Sequence, residues 1–79
     1  MDAVAVLQLY DRAMDDPDAR SRAQVILDQV AGHLHLDPPP RPDEVGSVTV
    51  VGVTPQQLAQ ALNEVAPGWQ GEGLLYWPA

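Results

Sequence analysis

The sequence predicts a small α+β domain, in which an N-terminal helical hairpin is followed by a β-α-β unit. Three observations support this fold class. The first half of the chain carries apolar residues at helical spacing. Residues 47–53, SVTVVGV, are rich in the β-branched residues that favour a strand. Residues 54–57, TPQQ, then form a typical helix start. The expected order is helix, helix, strand, helix, strand.

The length of 79 residues suits one domain, and we expect residues 1–79 to form it. A domain of this size buries about 60% of the surface that its unfolded chain exposes, so its stability alone should be modest. The chain has no cysteine, which excludes disulfides and cysteine-based zinc sites. Association with a second subunit is therefore the expected supplement, and it could complete the small sheet.

The formal net charge is −7, from 11 acidic residues against 4 arginines and no lysine. Such a chain has too few cations to displace counterions from nucleic acid, and it is repelled by anionic membranes. We therefore expect neither partner; the charge serves solubility or steers the chain toward a basic protein surface. No segment reaches the roughly 20 apolar residues of a membrane span, and the start lacks the basic residues of a signal peptide. The expected location is the cytoplasm.

The first predicted helix covers residues 2–15, with Asp2 as its cap. Apolar residues at steps of three and four make one face, namely Ala3, Val6, Leu7, Tyr10, Ala13 and Met14. Val4 and Leu9 lie off that face, which indicates a helix with neighbours on two sides.

The second predicted helix begins at Asp16-Pro17, a capping residue followed by proline at the first helical position. Its apolar face runs from Ala19 to Leu34, and it should end between residues 31 and 36. The two helices should form an antiparallel hairpin over residues 1–36; the alternative is one helix kinked at Pro17.

Residues 37–46, DPPPRPDEVG, read as a linker stiffened by its prolines. Its Pro39-to-Pro42 spacing also matches ligands of SH3-type grooves, although proline-rich connectors are much commoner. In the strand that follows, valines alternate onto both faces, so we expect the strand to be covered on both sides.

The third predicted helix starts with a capping box, in which Thr54 and Gln57 exchange hydrogen bonds. It ends at Pro67-Gly68, and a last strand covers residues 74–77. A strand, helix and strand in sequence usually make a right-handed parallel crossover, so residues 47–79 should form a β-α-β unit. A two-stranded sheet is marginal alone, which again favours cover by the hairpin or strands from a second subunit.

Candidate chemical sites are weak. Residues 68–73, GWQGEG, follow a helix and open a strand, the reverse of a phosphate-binding loop. His33 and His35 lack the third and fourth ligands of a metal site. Ser21 and Ser47, the serines of the chain, are not in a motif with a histidine. We therefore assign no catalytic, cofactor-binding or metal-binding residue and expect no enzyme.

The aromatic C-terminal segment is the predicted partner-binding region, consisting of Trp69, Leu75, Tyr76 and Trp77. Tyr76 and Trp77 are adjacent in a strand and must point to opposite faces. At least one tryptophan should enter the core. Leu75 with either Tyr76 or Trp77 should then form an exposed patch beside a sheet edge, through which the chain associates.

The predicted function is that of a small acidic, non-enzymatic protein–protein interaction module. It would act as a regulator, inhibitor or assembly subunit, as a homodimer or within a larger assembly. The alternatives are a small-ligand-binding accessory protein and a minor subunit of an enzyme complex. A pocket lined by Trp69 and His35 would favour ligand binding, and a flat apolar face would favour protein binding.

Overall fold

A computed structural model describes residues 3–78 of the chain. The elements are, in order, β1 (Val4–Leu9), α1 (Asp11–Asp15), α2 (Pro17–Leu34), β2 (Ser47–Val51), α3 (Pro55–Val65), a 3₁₀ turn (Trp69–Glu72) and β3 (Leu75–Tyr76). Within residues 3–78, three helices and a three-stranded antiparallel sheet confirm the α+β class.

The sheet has the strand order β2-β1-β3, so the first strand of the chain lies in the middle. β1 pairs antiparallel with both neighbours. β2 and β3 therefore run in the same direction, as a parallel crossover requires, but β1 separates them. The expected pairing of the two strands of a β-α-β unit is wrong, because a strand from the start of the chain inserts between them.

The helix predicted over residues 2–15 is wrong for residues 4–9, which form β1. Ala5, Leu7 and Leu9 are buried while Val4 and Val6 are exposed, which is the alternation of a strand. Only Asp11–Asp15 remains helical, so a short α1 and a long α2 replace the predicted hairpin over residues 1–36. The predicted cap, Asp2, lies outside the described residues.

The predicted start of α2 is confirmed. The Asp18 backbone N–H donates to Asp16 Oδ1 at 2.9 Å, and Pro17 occupies the first turn. Asp18 also places negative charge at the positive end of the helix dipole. The helix ends at Leu34, and the left-handed backbone of His35 after it turns the chain so that the Leu36 N–H donates to the Ala31 carbonyl at 2.8 Å.

The capping box at the start of α3 is likewise confirmed. The Gln57 backbone N–H donates to Thr54 Oγ1 at 3.1 Å, and the Thr54 N–H donates to Gln57 Oε1 at 2.9 Å. Val53 before the cap and Leu58 after it are both buried, as expected for a hydrophobic staple. The cap therefore fixes where the chain leaves β2 and enters the helical layer.

The hydrophobic core lies between one face of the sheet and the layer of helices. Its fully buried large side chains are Leu7, Leu9, Ile26, Leu27, Val30, Val48, Leu58, Leu62, Leu74 and Leu75. Only one face of β2 belongs to it, since Val48 and Val50 are buried while Val51 is 62% exposed. The prediction that β2 is covered on both faces is therefore wrong. Within residues 3–78, no element packs over the other face of the sheet.

Candidate functional site

Two of the predicted partner-binding residues lie in the core. Trp69 is 2% exposed, and its indole N–H donates to Asn63 Oδ1 at 3.1 Å. Leu75 is 1% exposed and belongs to the same core cluster. Neither side chain is offered to a partner by the folded chain. The expectation that at least one tryptophan enters the core is met by Trp69.

Tyr76 and Trp77 point to opposite faces of the sheet, as strand geometry predicts. Trp77 packs edge-on against Trp69 with ring centroids 6.0 Å apart, so it lies on the core side. Tyr76 packs against Tyr10 on the other face, with ring centroids 4.5 Å apart. The face that carries Leu75 is thus the inner face, and the predicted exposed patch of Leu75 with Trp77 does not form. Tyr76 is the member of the predicted set that faces outward.

Tyr76 belongs to a larger uncovered surface, which we call the outer sheet face. Its members are the outward-facing residues Val4, Val6, Gln8, Tyr10, Ser47, Thr49, Val51 and Tyr76. Val4 lies opposite Val51, and Val6 lies opposite Thr49. At the end near Tyr76, Gln8 lies opposite Ser47, whose hydroxyl donates to Gln8 Oε1 at 2.8 Å. Apolar side chains thus form most of this face.

No member of the outer sheet face is charged, although the chain has 11 acidic residues and 4 arginines. Acidic residues border the face instead. Asp11 follows Tyr10, and Asp43 accepts hydrogen bonds from the backbone N–H groups of Val45 and Ser47, at the start of β2. An uncharged centre with a charged border is the usual anatomy of a protein interface.

All members of this face except Tyr76 were not predicted as site residues. Those in residues 4–10 were missed because a helix was expected there, and those in β2 because that strand was expected to be covered on both faces. The signal that could have found them is the period of two. Val4, Val6, Gln8 and Tyr10 alternate with Ala5, Leu7 and Leu9. A strand reading of that pattern places both valines and the tyrosine on a single face.

The structure has a groove beside the free edge of β2. A cavity of about 360 Å³ lies between residues 36–40 and β2, with Thr49, Val50 and Val51 on the strand side. Trp69 and His35 do not line it. Because Trp69 is buried, the pocket that would have favoured small-ligand binding lacks its aromatic wall.

The ion pairs that the structure describes lie at the surface. His33 Nε2 lies 2.9 Å from Glu64 Oε2, and Arg22 Nε lies 3.3 Å from Glu72 Oε1, in both cases with substantial exposure. Exposed pairs of this kind contribute little to stability. Among residues 3–78, no charged or polar residue is buried and no three histidine or acidic side chains converge on a metal position. No buried acid–base pair is therefore assembled in this part of the chain.

The glycine-rich segment between α3 and β3 is a turn. Trp69–Glu72 form a 3₁₀ turn bounded by Gly68 and Gly73, both with positive φ. Glycine adopts these left-handed angles without the steric cost that a Cβ atom would add.

Comparison with protein-family models, with curated proteins and with solved structures finds no match to this chain. None of the helices described in residues 3–78 has the length and apolar character needed to cross a bilayer.

Proposed function

We propose that this chain is a protein–protein interaction module that binds another protein through its outer sheet face. The observation that carries the proposal is the composition of that face. An antiparallel sheet with one face in water normally alternates apolar residues inside with polar residues outside. Here three valines and two tyrosines stand on the water side, and three polar but uncharged residues, Gln8, Ser47 and Thr49, accompany them. Contiguous exposed apolar surface of this kind marks an association site.

Charge then favours a particular kind of partner. The outer sheet face is uncharged, whereas its border and the chain as a whole are acidic. A partner with an apolar centre and a basic border would complement both features and would be attracted during encounter. A non-enzymatic regulator, inhibitor or assembly subunit is the role that such a surface suits. A homodimer would bring two acidic borders together, so a different protein is the better fit.

The alternative of a small-ligand-binding accessory protein has less support. It required a pocket lined by Trp69 and His35, and the indole of Trp69 is packed in the core. The minor-subunit alternative is compatible with the same outer sheet face, because an assembly subunit also binds through an apolar surface.

The test is a comparison of capture from a lysate of the native host by immobilised wild type and two charge variants. Val6→Glu places a carboxylate in the middle of the outer sheet face, where Val6 is 37% exposed. Val25→Glu is the matched control, since Val25 is 45% exposed on α2, in the helical layer. We expect the wild type and the control to retain one partner equally, and the Val6 variant to retain it about tenfold less.

Circular dichroism and thermal unfolding establish that both variants are folded before capture is compared. Equal capture by the two glutamate variants would show that the partner does not bind through the outer sheet face. Light scattering on the purified wild type detects a homodimer, in which case the bound partner is a second copy of the chain.

A further inference from the structure

The hydrogen bonds between β1 and β2 establish which backbone groups of β2 face away from the sheet. In an antiparallel pair, residues that exchange hydrogen bonds alternate with residues that do not. The Gly52 N–H donates to the Ala3 carbonyl at 2.7 Å, and the Leu9 N–H donates to the Gly46 carbonyl at 2.9 Å. Odd-numbered residues of β1 therefore form the bonded pairs.

The unbonded pairs are those of the even-numbered residues of β1, namely Val4 with Val51, Val6 with Thr49 and Gln8 with Ser47. Ser47, Thr49 and Val51 consequently direct both their N–H and their C=O groups away from β1, toward the free edge. Ser47 supports this assignment, because Asp43 satisfies both of its outward groups. The Ser47 N–H donates to Asp43 Oδ1, and the Ser47 carbonyl accepts from the Asp43 N–H, each at 2.9 Å.

Thr49 and Val51 have no such partner. Within the described part of the chain, no hydrogen bond reaches the backbone N–H or C=O of either residue from the edge side. Two donors and two acceptors therefore stand in a row at the edge of the sheet, at the spacing that a further strand would use. An open edge of this kind is a template for another chain.

The groove beside this edge has a wall that cannot pair with it. Pro38, Pro39 and Pro40 face β2 across the cavity, and proline has no backbone N–H to donate. The wall is anchored to α2 at both ends. The Leu36 N–H donates to the Ala31 carbonyl at 2.8 Å, and Gln24 Nε2 donates to the Pro40 carbonyl at 3.2 Å. The wall therefore borders the edge and leaves its hydrogen-bonding groups free.

We propose that the free edge of β2 binds an extended peptide segment of a partner protein by strand addition, and that this segment alternates apolar and cationic side chains. Backbone pairing with Thr49 and Val51 would hold the segment, and its apolar side chains would pack on Leu36 and the prolines of the wall. Asp37 lies in the groove, and the chain carries a net charge of −7, so cationic side chains complement the site. This inference uses the backbone edge of the sheet and goes beyond the proposed role of the outer sheet face.

A second copy of the chain is a poorer occupant of the groove. The β2 strand of a second copy is bordered by its own proline wall, and this wall would collide with the wall of the first copy. Its Asp37 and Asp43 would also approach like charges. A single peptide strand brings neither obstacle.

The probe is a capped nonapeptide of alternating valine and arginine, titrated into the ¹⁵N-labelled chain and followed by amide chemical shifts. We expect the largest shifts at Thr49, Val51 and Asp37, and about tenfold slower amide exchange at Thr49 and Val51 once the site is saturated. Shifts confined to other parts of the chain would overturn the proposal, as would amides of Thr49 and Val51 that are already protected in the free chain.

Two methylated peptides separate strand pairing from simple charge attraction. One carries N-methyl groups on its valines and the other on its arginines, so each loses the donors of a single edge while keeping the charge. We expect one of them to bind about tenfold more weakly and the other to bind as the parent does. Equal binding by all three peptides would mean that charge alone holds them. A peptide with glutamate in place of arginine should also bind at least about tenfold more weakly.

Variants of the chain provide an independent test. Thr49→Pro removes an edge-facing N–H without removing a bond to β1, since proline is tolerated on edge strands in that position. It should weaken peptide binding about tenfold, whereas the control Thr49→Val, which keeps the N–H, should stay within about twofold of wild type. Binding by Thr49→Pro at wild-type strength would refute the proposal; if that variant does not fold, the methylated peptides decide. Tyr76→Gln, on β3 and therefore separated from the edge of β2 by β1, should leave peptide binding within about twofold of wild type, which separates this site from the outer sheet face.

Discussion

At the scale of single residues, Gly46 shows how closely the chain passes the core where it enters β2. Its φ is +82°, and its carbonyl accepts the Leu9 N–H at 2.9 Å. A Cβ atom at this position would lie 2.6 Å from Met14 Sδ. Gly52 has a similar φ of +85° at the other end of β2, but a Cβ there would meet no atom within 4 Å. Alanine substitutions at the two positions can therefore be compared to separate the cost of backbone strain from the cost of crowding.

We expect Gly46→Ala to destabilise the fold by about 2 to 3 kcal/mol, because it adds crowding to the strain of a positive φ. Gly52→Ala should cost about 1 kcal/mol, from strain alone. Urea unfolding of both variants measures the difference. Equal losses would show that Met14 moves aside at no cost and that crowding is unimportant at Gly46.

At the scale of elements, local signals predicted α2 and α3 well and missed β1. The caps at Asp16 and Thr54 bond to groups two and three residues away, so the sequence around them is sufficient. The partners of β1 lie about 40 and 70 residues away along the chain, and propensity does not report them. The segment VAVLQL also mixes β-branched valines with alanine, leucine and glutamine, which favour helices. The segment forms a strand because it pairs with both β2 and β3.

The outer sheet face was missed for the same reason. It exists only because β1 is a strand with β2 on one side and β3 on the other. Tyr76, one of the predicted partner-binding residues, faces outward next to Tyr10. The roles of Leu75 and Trp77 depended on which face the helices cover, and local sequence does not contain that information.

Because residues 4–9 form a strand, substitutions at adjacent positions should change the free energy of unfolding by different amounts. Leu7 is fully buried, so Leu7→Ala should cost about 2 to 5 kcal/mol. Val6 faces outward, so Val6→Ala should change the free energy of unfolding by about 0.5 kcal/mol or less. In the predicted helix both residues shared one apolar face, so the two substitutions would lower the free energy of unfolding by similar amounts. Chemical denaturation of the two variants distinguishes the assignments, and similar losses would contradict the strand.

At the scale of the whole molecule, one layer of helices covers one face of a three-stranded sheet, and nothing in residues 3–78 covers the other face. The two faces of β3 therefore respond differently to a charge. Leu75 is in the core, whereas Tyr76 lies on the outer sheet face. A substitution at Leu75 consequently tests folding, and a substitution at Tyr76 tests association.

Leu75→Arg should abolish the folded state, because it buries an unpaired charge at a position that is 1% exposed. Tyr76→Arg should remain folded and lose only the contact with Tyr10, at about 1 kcal/mol. Near-ultraviolet circular dichroism and the cooperativity of thermal unfolding report both results. A folded Leu75→Arg chain with native tryptophan signals would mean that Leu75 is an interface residue after all.

The central position of β1 has a consequence for how the chain reaches its fold. β1 is synthesised before its neighbours in the sheet, which are residues 47–51 and 75–76. Closing contacts over such distances is slow compared with forming α2 from its own neighbours. Until β2 and β3 emerge, β1 is a six-residue apolar segment without charge or proline, which is the composition that favours aggregation. The ribosome and the chaperones therefore meet this protein in the state in which its central strand is most exposed.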